Sequence, residues 1–281
     1  MTLYIAAYDA ESAGCLAACR KIVEVHRRYG MPATFFITGK CLEASPKEYR
    51  ALLDDPLFEI ASHTYAHRSL RDHEVCGPAV SAEEVREDIF LGKEWVERVF
   101  ERPCLGLRPA CGFPHGLRGA PELLRLIHEA GYRYVSSALW GPFFSMPAPL
   151  RGPFSYQADC FADLWDIPGH GWHENLLKGH HGWGALRLLL FPPDMPEAIP
   201  PQYVRTPDEE FAYNNRPFID RAIAEGQPHV SLVWHPWSLD RFDPEMRMLE
   251  ITFRYVRERG LECGTFAALA ERCRAGLVKG P

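Results

Sequence analysis

Phe58-Glu59-Ile60-Ala61-Ser62-His63-Thr64-Tyr65-Ala66-His67 joins a short apolar run to a pair of imidazoles. Phe58 to Ala61 reads as a buried strand, and His63 and His67 follow its C-terminal end four residues apart. If the chain turns helical there, both rings leave one face and can close on a single ion. A His-x3-His pair equally suits a capped, solvated helix start, so its meaning rests on what surrounds it.

Outward from that stretch, strand-like and helix-like segments alternate, the pattern of parallel βα units. Leu3 to Tyr8 reads as a first strand, and Cys15, Leu16, Cys19, Ile22, Val23 and His26 form the apolar stripe of a helix ending near Gly30. Ala33 to Ile37 is a second strand, and Ser45-Pro46-Lys47-Glu48 carries an N-cap, a first-turn proline and a capping-box glutamate. Ser81-Ala82-Glu83-Glu84 opens a long helix to about Arg102. Strands at Cys104 to Leu107 and Tyr132 to Ser136 flank a helix from about Pro121. A long, loop-rich insertion, residues 140–228, interrupts the alternation, with a helix starting at Thr206-Pro207-Asp208-Glu209. Val230 to Trp234 is a buried strand delivering His235, and helices at about Pro244–Arg259 and Thr265–Ala275 complete the chain.

A chain of 281 residues, 47% hydrophobic and 24% charged, can bury a large core, and a single domain is expected. The formal charge of −6, with no Lys/Arg cluster, argues against nucleic-acid or anionic-membrane partners. The first residues are too short and too uncharged for a signal peptide and no run is long enough to span a bilayer, so a cytoplasmic location is expected. Nine scattered cysteines resemble no disulfide framework, so reduced thiols are expected, with Cys15 and Cys19 as small core residues.

Four polar clusters stand at C-terminal strand ends: Asp9 with Glu11, His63 with His67, Arg108 with its turn, and His235. In a parallel β/α barrel that rim is where active sites assemble. Glu11 can complete a His/His/carboxylate metal shell while Asp9 stays free to take a proton, and His235 supplies an acid near neutral pH.

The order of an Asp-containing first strand, Ser62-His63-Thr64-Tyr65-Ala66-His67, Arg108-Pro109-Ala110-Cys111-Gly112 and Leu232-Val233-Trp234-His235 resembles the polysaccharide deacetylases of carbohydrate esterase family 4, the NodB-homology enzymes. The resemblance implies a distorted (β/α) barrel of seven or eight mostly parallel strands and hydrolysis of N-acetyl groups with a divalent metal, commonly zinc. It makes Asp9 the base and His63 and His67 metal ligands. Where the family has its ligand Asp this chain has Ala10, and Glu11 is the substitute. It makes Arg108 the residue that positions the base, the Cys111 backbone N–H an oxyanion donor, His235 the general acid and Trp237 a border of the acetyl pocket. The family's Asp-rich segment is loosely matched by Asp163-Leu164-Trp165-Asp166, leaving Asp163 or Asp166 to orient His235 or Arg108.

Within the insertion, Trp140, Phe143, Phe144, Trp172 and Trp183 are candidates for stacking on sugar rings, and Gly169-His170-Gly171-Trp172-His173 with His180-His181 offers substrate contacts or plain surface. The leading expectation is a metal-dependent hydrolase of a carbon–nitrogen amide bond in an N-acetylated sugar or another small amide. A cyclic amide or ureide hydrolase of the allantoinase type is the alternative, and a non-catalytic carbohydrate-binding relative is a third reading.

Overall fold

The computed structural model describes residues 2–144, 147–171 and 206–278. β1 (Leu3–Ala10) is buried along its whole length, which is why its sequence is a continuous apolar run and not an alternation. It pairs in parallel with β2 (Ala33–Ile37) on one side and β8 (His229–Trp234) on the other. From β2 the parallel order continues through β3 (Phe58–Ser62), β4 (Gly106–Leu107), β5 (Tyr134–Val135) and β7 (Phe161–Asp166). β6 (Phe154–Tyr156) pairs antiparallel on the outer side of β7, and β9 (Glu262–Cys263) adds a short parallel pairing to β1. The expected mixed α/β architecture with a mostly parallel central sheet is therefore present.

The sheet curls. Beyond β7, His170 forms a parallel bridge to Leu232 of β8, with its N–H donating to the Ser231 carbonyl at 2.8 Å. One bridge thus joins the β7 side of the sheet to the β8 side, and the seven strands between approximate the expected distorted barrel.

Helices cover the outside: α1 (Cys15–Tyr29), α2 (Gly39–Ala44), α3 (Pro46–Leu53), α4 (Ala82–Phe100) and α5 (Pro121–Glu129) follow the first strands. Cys15 and Cys19 lie buried in the α1 stripe as expected, and Gly30 ends that helix in the left-handed conformation. The capping boxes at Ser81 and Thr206 both form. The one expected at Ser45 does not: α2 runs up to that residue, whose N–H bonds back to the Cys41 carbonyl, and its side chain caps nothing. The stretch read as irregular contains β6 and β7, and after Thr206 it holds a short helix, a π turn at Phe211–Asn215 and α6 (Arg216–Glu225). α7 (Pro236–Phe242) follows His235 directly, then α8 (Arg247–Glu258) and α9 (Phe266–Arg274).

One close approach ties a helix to the rim. A Cβ at Gly92 of α4 would lie 2.6 Å from the Ser62 hydroxyl and 2.6 Å from the Thr64 carbonyl carbon. The helix can lie against the end of β3 only because that side chain is missing. Gly92→Ala is expected to destabilise the fold by about 1–3 kcal/mol despite alanine's better helix propensity, as read by urea denaturation; a stabilised variant would contradict this packing.

Candidate active site

Asp9, His63, Arg108, Ser136, Asp166 and His235 stand at or just beyond the C-terminal ends of β1, β3, β4, β5, β7 and β8, so one rim gathers residues far apart in sequence. Glu11 follows β1 by one residue and shares the Asp9 face, because side chains alternate along a strand.

The histidine pair does not sit on a helix. Residues 63–67 form a turn in which Thr64 and His67 both have positive φ, 63° and 56°. Those conformations disfavour ordinary side chains and persist only where neighbours determine them. Here they do. The Ser62 hydroxyl accepts the Thr64 N–H at 3.1 Å and the Thr64 hydroxyl accepts the His67 N–H at 3.0 Å. From α4, the buried Asp88 carboxylate accepts the N–H groups of Ala66 and Arg68 at 2.7 and 3.1 Å, and its carbonyl accepts that of Tyr65. The rings converge through this turn, with centroids 4.6 Å apart, and not through helical spacing.

Glu11, His63 and His67 each offer a ligand atom, and all three atoms lie within 4.8 Å of one another. Glu11 Oε2 is 3.1 Å from His67 Nε2, 3.9 Å from His63 Nε2 and 3.7 Å from His235 Nε2. His63 is buried, and its Nδ1 donates to the Arg108 carbonyl at 2.7 Å. That bond fixes the tautomer and leaves the Nε2 lone pair toward Glu11. Nε2 is buried with no hydrogen-bond partner, a costly arrangement for an imidazole and a suitable one for a metal ligand. Burial holds the His63 ring down to about 4, against the opposing charge of Asp9, so it stays neutral as a ligand must.

Asp9 is buried, and burial alone would favour its neutral form. The Arg108 guanidinium reverses that and holds the carboxyl below its ordinary value, with His63 and His235 assisting. Arg108 donates from Nη1 to Asp9 Oδ1 at 2.6 Å and lies over the Phe36 ring, 4.0 Å from its centroid. Ser136 orients it from the other side: its hydroxyl accepts from Nε at 3.3 Å and from Nη2 at 2.9 Å.

The sequence leaves Asp163 or Asp166 to orient His235 or Arg108, but Arg108 is bonded to Asp9 and Ser136 instead. Asp163 is exposed and pairs with His128. Asp166 is fully buried and accepts from the Ser137 hydroxyl, the Tyr156 hydroxyl and the N–H groups of Ser137 and Ala138. It therefore fixes the segment after β5 that carries Ser136, one step removed from Arg108. Ser136 and Asp88 were missed; the only signals for them were a hydroxyl at a strand's rim end and a carboxylate within an apolar helix stripe.

Cys111 is at φ 66° in the Arg-Pro-Ala-Cys-Gly turn, and its carbonyl accepts the Trp140 indole N–H. Its sulfur is bonded to Cys76, which corrects the expectation of reduced thiols throughout and leaves no nucleophilic thiol at this position. The loop after His67 folds over the turn and brings the two Cα atoms to 6.7 Å across 35 residues, a proximity invisible in sequence spacing. The other seven cysteines are free.

Trp140 is corrected as a sugar platform. It is 5% exposed and packs on His73 and Phe144, so its faces are spent on the protein. Trp237 is half-buried at the site, and its indole N–H donates to Glu11 Oε1 at 3.1 Å. Trp172, His173, His180, His181 and Trp183 lie outside the described residues.

Residues 8–135 match the family model described as polysaccharide deacetylase. No curated protein sequence matches the chain. Among solved structures, a Mycobacterium smegmatis protein assigned to the polysaccharide deacetylases superposes with a TM-score of 0.66 at 17% identity, covering 99% of this chain and 92% of the other. The PuuE allantoinase superposes at 0.68 with 14% identity, covering 98% and 90%. A Bacillus anthracis protein described as a CE4 family pseudoenzyme superposes at 0.56 with 12% identity, covering 96% and 66%. At these identities the likeness speaks for the fold. The family match thus spans residues 8–135, somewhat under half of the chain, and over that stretch the chain carries the polysaccharide deacetylase signature, one of hydrolases. Among the described residues no helix is long and apolar enough to cross a membrane.

Two outcomes follow from this chemistry. Denatured without reductant, the protein should titrate seven thiols with a chromogenic disulfide, and nine after reduction; nine at the outset would refute the Cys76–Cys111 bond. Burial also holds His26 and His229 down to about 4, like His63. An unfolded chain takes up these protons near pH 6.5, so the metal-free protein keeps their contribution above that pH. It should lose stability as pH falls toward 4, by up to about 1.4 kcal/mol per pH unit for each histidine. Denaturant midpoints that stay flat from pH 7 to 4.5 would contradict the buried neutral rings.

Proposed function

We propose that the protein is a metal-dependent hydrolase of a carbon–nitrogen amide bond, acting as an N-deacetylase on an N-acetylated sugar or glycan. The observation that carries this reading is the convergence of Glu11, His63 and His67, with the buried, unpartnered Nε2 of His63 among the ligand atoms. A carboxylate and two imidazoles suit a divalent cation, and zinc in particular. When bound, such an ion supplies Lewis acidity toward an amide carbonyl and toward water.

The remaining roles fall to the chain itself. Asp9, kept ionised by Arg108 in a buried setting, is assigned to take the proton of the attacking water. Arg108 occupies Oδ1 of Asp9, which leaves Oδ2 as the accepting oxygen. The backbone N–H of Cys111, in a turn held by Trp140 and by the bond to Cys76, is assigned to the developing oxyanion. His235, across Glu11 from the histidine pair, is assigned to protonate the departing amine. Trp237 borders the same space and is assigned the edge of the acyl pocket. Disulfides persist chiefly in oxidising compartments, so the Cys76–Cys111 bond favours such a location over the cytoplasm expected from the sequence.

Zinc content and acetate release from N-acetylglucosamine oligomers, measured side by side on wild type, Glu11→Ala and Asp9→Asn, test the assignment. Wild type should carry about one zinc per chain and release acetate. Glu11→Ala should lose both. Asp9→Asn should keep the metal and lose turnover by about 10²–10⁴-fold, the usual contribution of a positioned base. Wild type that holds metal but releases no acetate would move the search to cyclic amides. Wild type with neither metal nor turnover would leave glycan binding as the remaining reading.

A further inference from the structure

We propose that Trp237 is a positioning residue for the metal site, its indole N–H holding Glu11 in the orientation that presents a carboxylate oxygen to His63 and His67. The inference rests on the Glu11, His63 and His67 reading above and adds a role to a residue placed there only at the edge of the pocket.

The need for such a residue follows from the sequence. The ligating carboxylate lies at position 11, one residue beyond the last residue of β1, where ladder pairing has stopped. It is also a glutamate, with one more rotatable bond than an aspartate, so nothing in its own backbone selects a single side-chain direction. Position 10 cannot help: Ala10 is buried and faces the opposite side of the strand.

Trp237 supplies the missing selection. Its Nε1 donates to Glu11 Oε1 at 3.1 Å, while Oε2 faces His67 Nε2 at 3.1 Å and His63 Nε2 at 3.9 Å. The carboxylate is thereby divided, one oxygen for the indole and the other for the imidazoles. An indole N–H only donates, so it can neither ligate a metal nor change charge, and it leaves the second carboxylate oxygen open. The ring is itself held: Trp237 is the second residue of α7, directly after His235, and packs against the core beside Gly14 of the loop that follows Glu11. One junction after β8 therefore sets both His235 and the group that aims Glu11.

Zinc affinity, read on the full chain by competition with a chromophoric chelator, tests this without reference to any substrate. Trp237→Phe keeps an aromatic ring without the donor and should weaken zinc binding by about 10–100-fold, the usual effect of removing a group that orients a metal ligand. Trp237→Gln, which restores an N–H donor without the ring, should recover part of that loss. Circular dichroism checks that each variant folds. If Trp237→Phe does not fold, Trp237→Gln against Trp237→Met decides: tighter zinc binding by the glutamine supports the role, and equal binding overturns it. Wild-type affinity in Trp237→Phe, with His67→Ala severely weakened, overturns the inference and leaves the metal reading standing. A wild type without zinc affinity overturns both.

Discussion

A guanidinium removed from water must be answered by whatever packs around it, and much of this rim is the answer to Arg108. The side chain is fully buried, bonded to Asp9 on β1, bonded to Ser136 beyond β5 and laid over Phe36 of β2. Its backbone carbonyl meanwhile receives the Nδ1 proton of His63. One residue thus reaches the assigned base through its side chain and an assigned metal ligand through its main chain. Breaking a buried pair of this kind leaves an uncompensated charge, typically at a cost of about 3–5 kcal/mol, so the pair constrains its neighbours even if its net contribution to stability is small.

The support for that arrangement comes in layers. Asp166 never touches Arg108, yet it gathers Ser137, Ala138 and Tyr156 and so fixes the segment that presents Ser136. Asp88 does the same for the histidine turn from the inner face of a helix. Both carboxylates are buried and spend their acceptors on backbone N–H groups or hydroxyls, the condition under which a buried acid is tolerable. The division is clear: Asp9 and Glu11 face the candidate chemistry, whereas Asp88 and Asp166 hold loops.

The fold was legible because parallel βα units write themselves in order, and every strand needed to build the rim up to β5 has its own apolar run. The motif residues could be placed together because they end those strands. What could not be read was partnership across the rim. The imidazoles meet through two left-handed residues, Thr64 and His67, which no periodicity announces. Ser136 took the role expected of an acidic residue, since a hydroxyl at a strand end looks like any other. β7 was hidden because its burial does not alternate cleanly: only Leu164 and Asp166 are buried, and Ala162 on the same face is exposed. The Cys76–Cys111 bond joins two loops, and loop proximity leaves no trace in spacing.

Among the described residues one bridge, His170 to Leu232, joins the two ends of the parallel sheet. Every group assigned to the chemistry rides on the contiguous arc that runs from β5 through β4, β3, β2 and β1 to β8. The seam falls outside that arc, on the side of β7 away from β5. Loss of that bridge alone would leave every ladder between the strands of that arc in place.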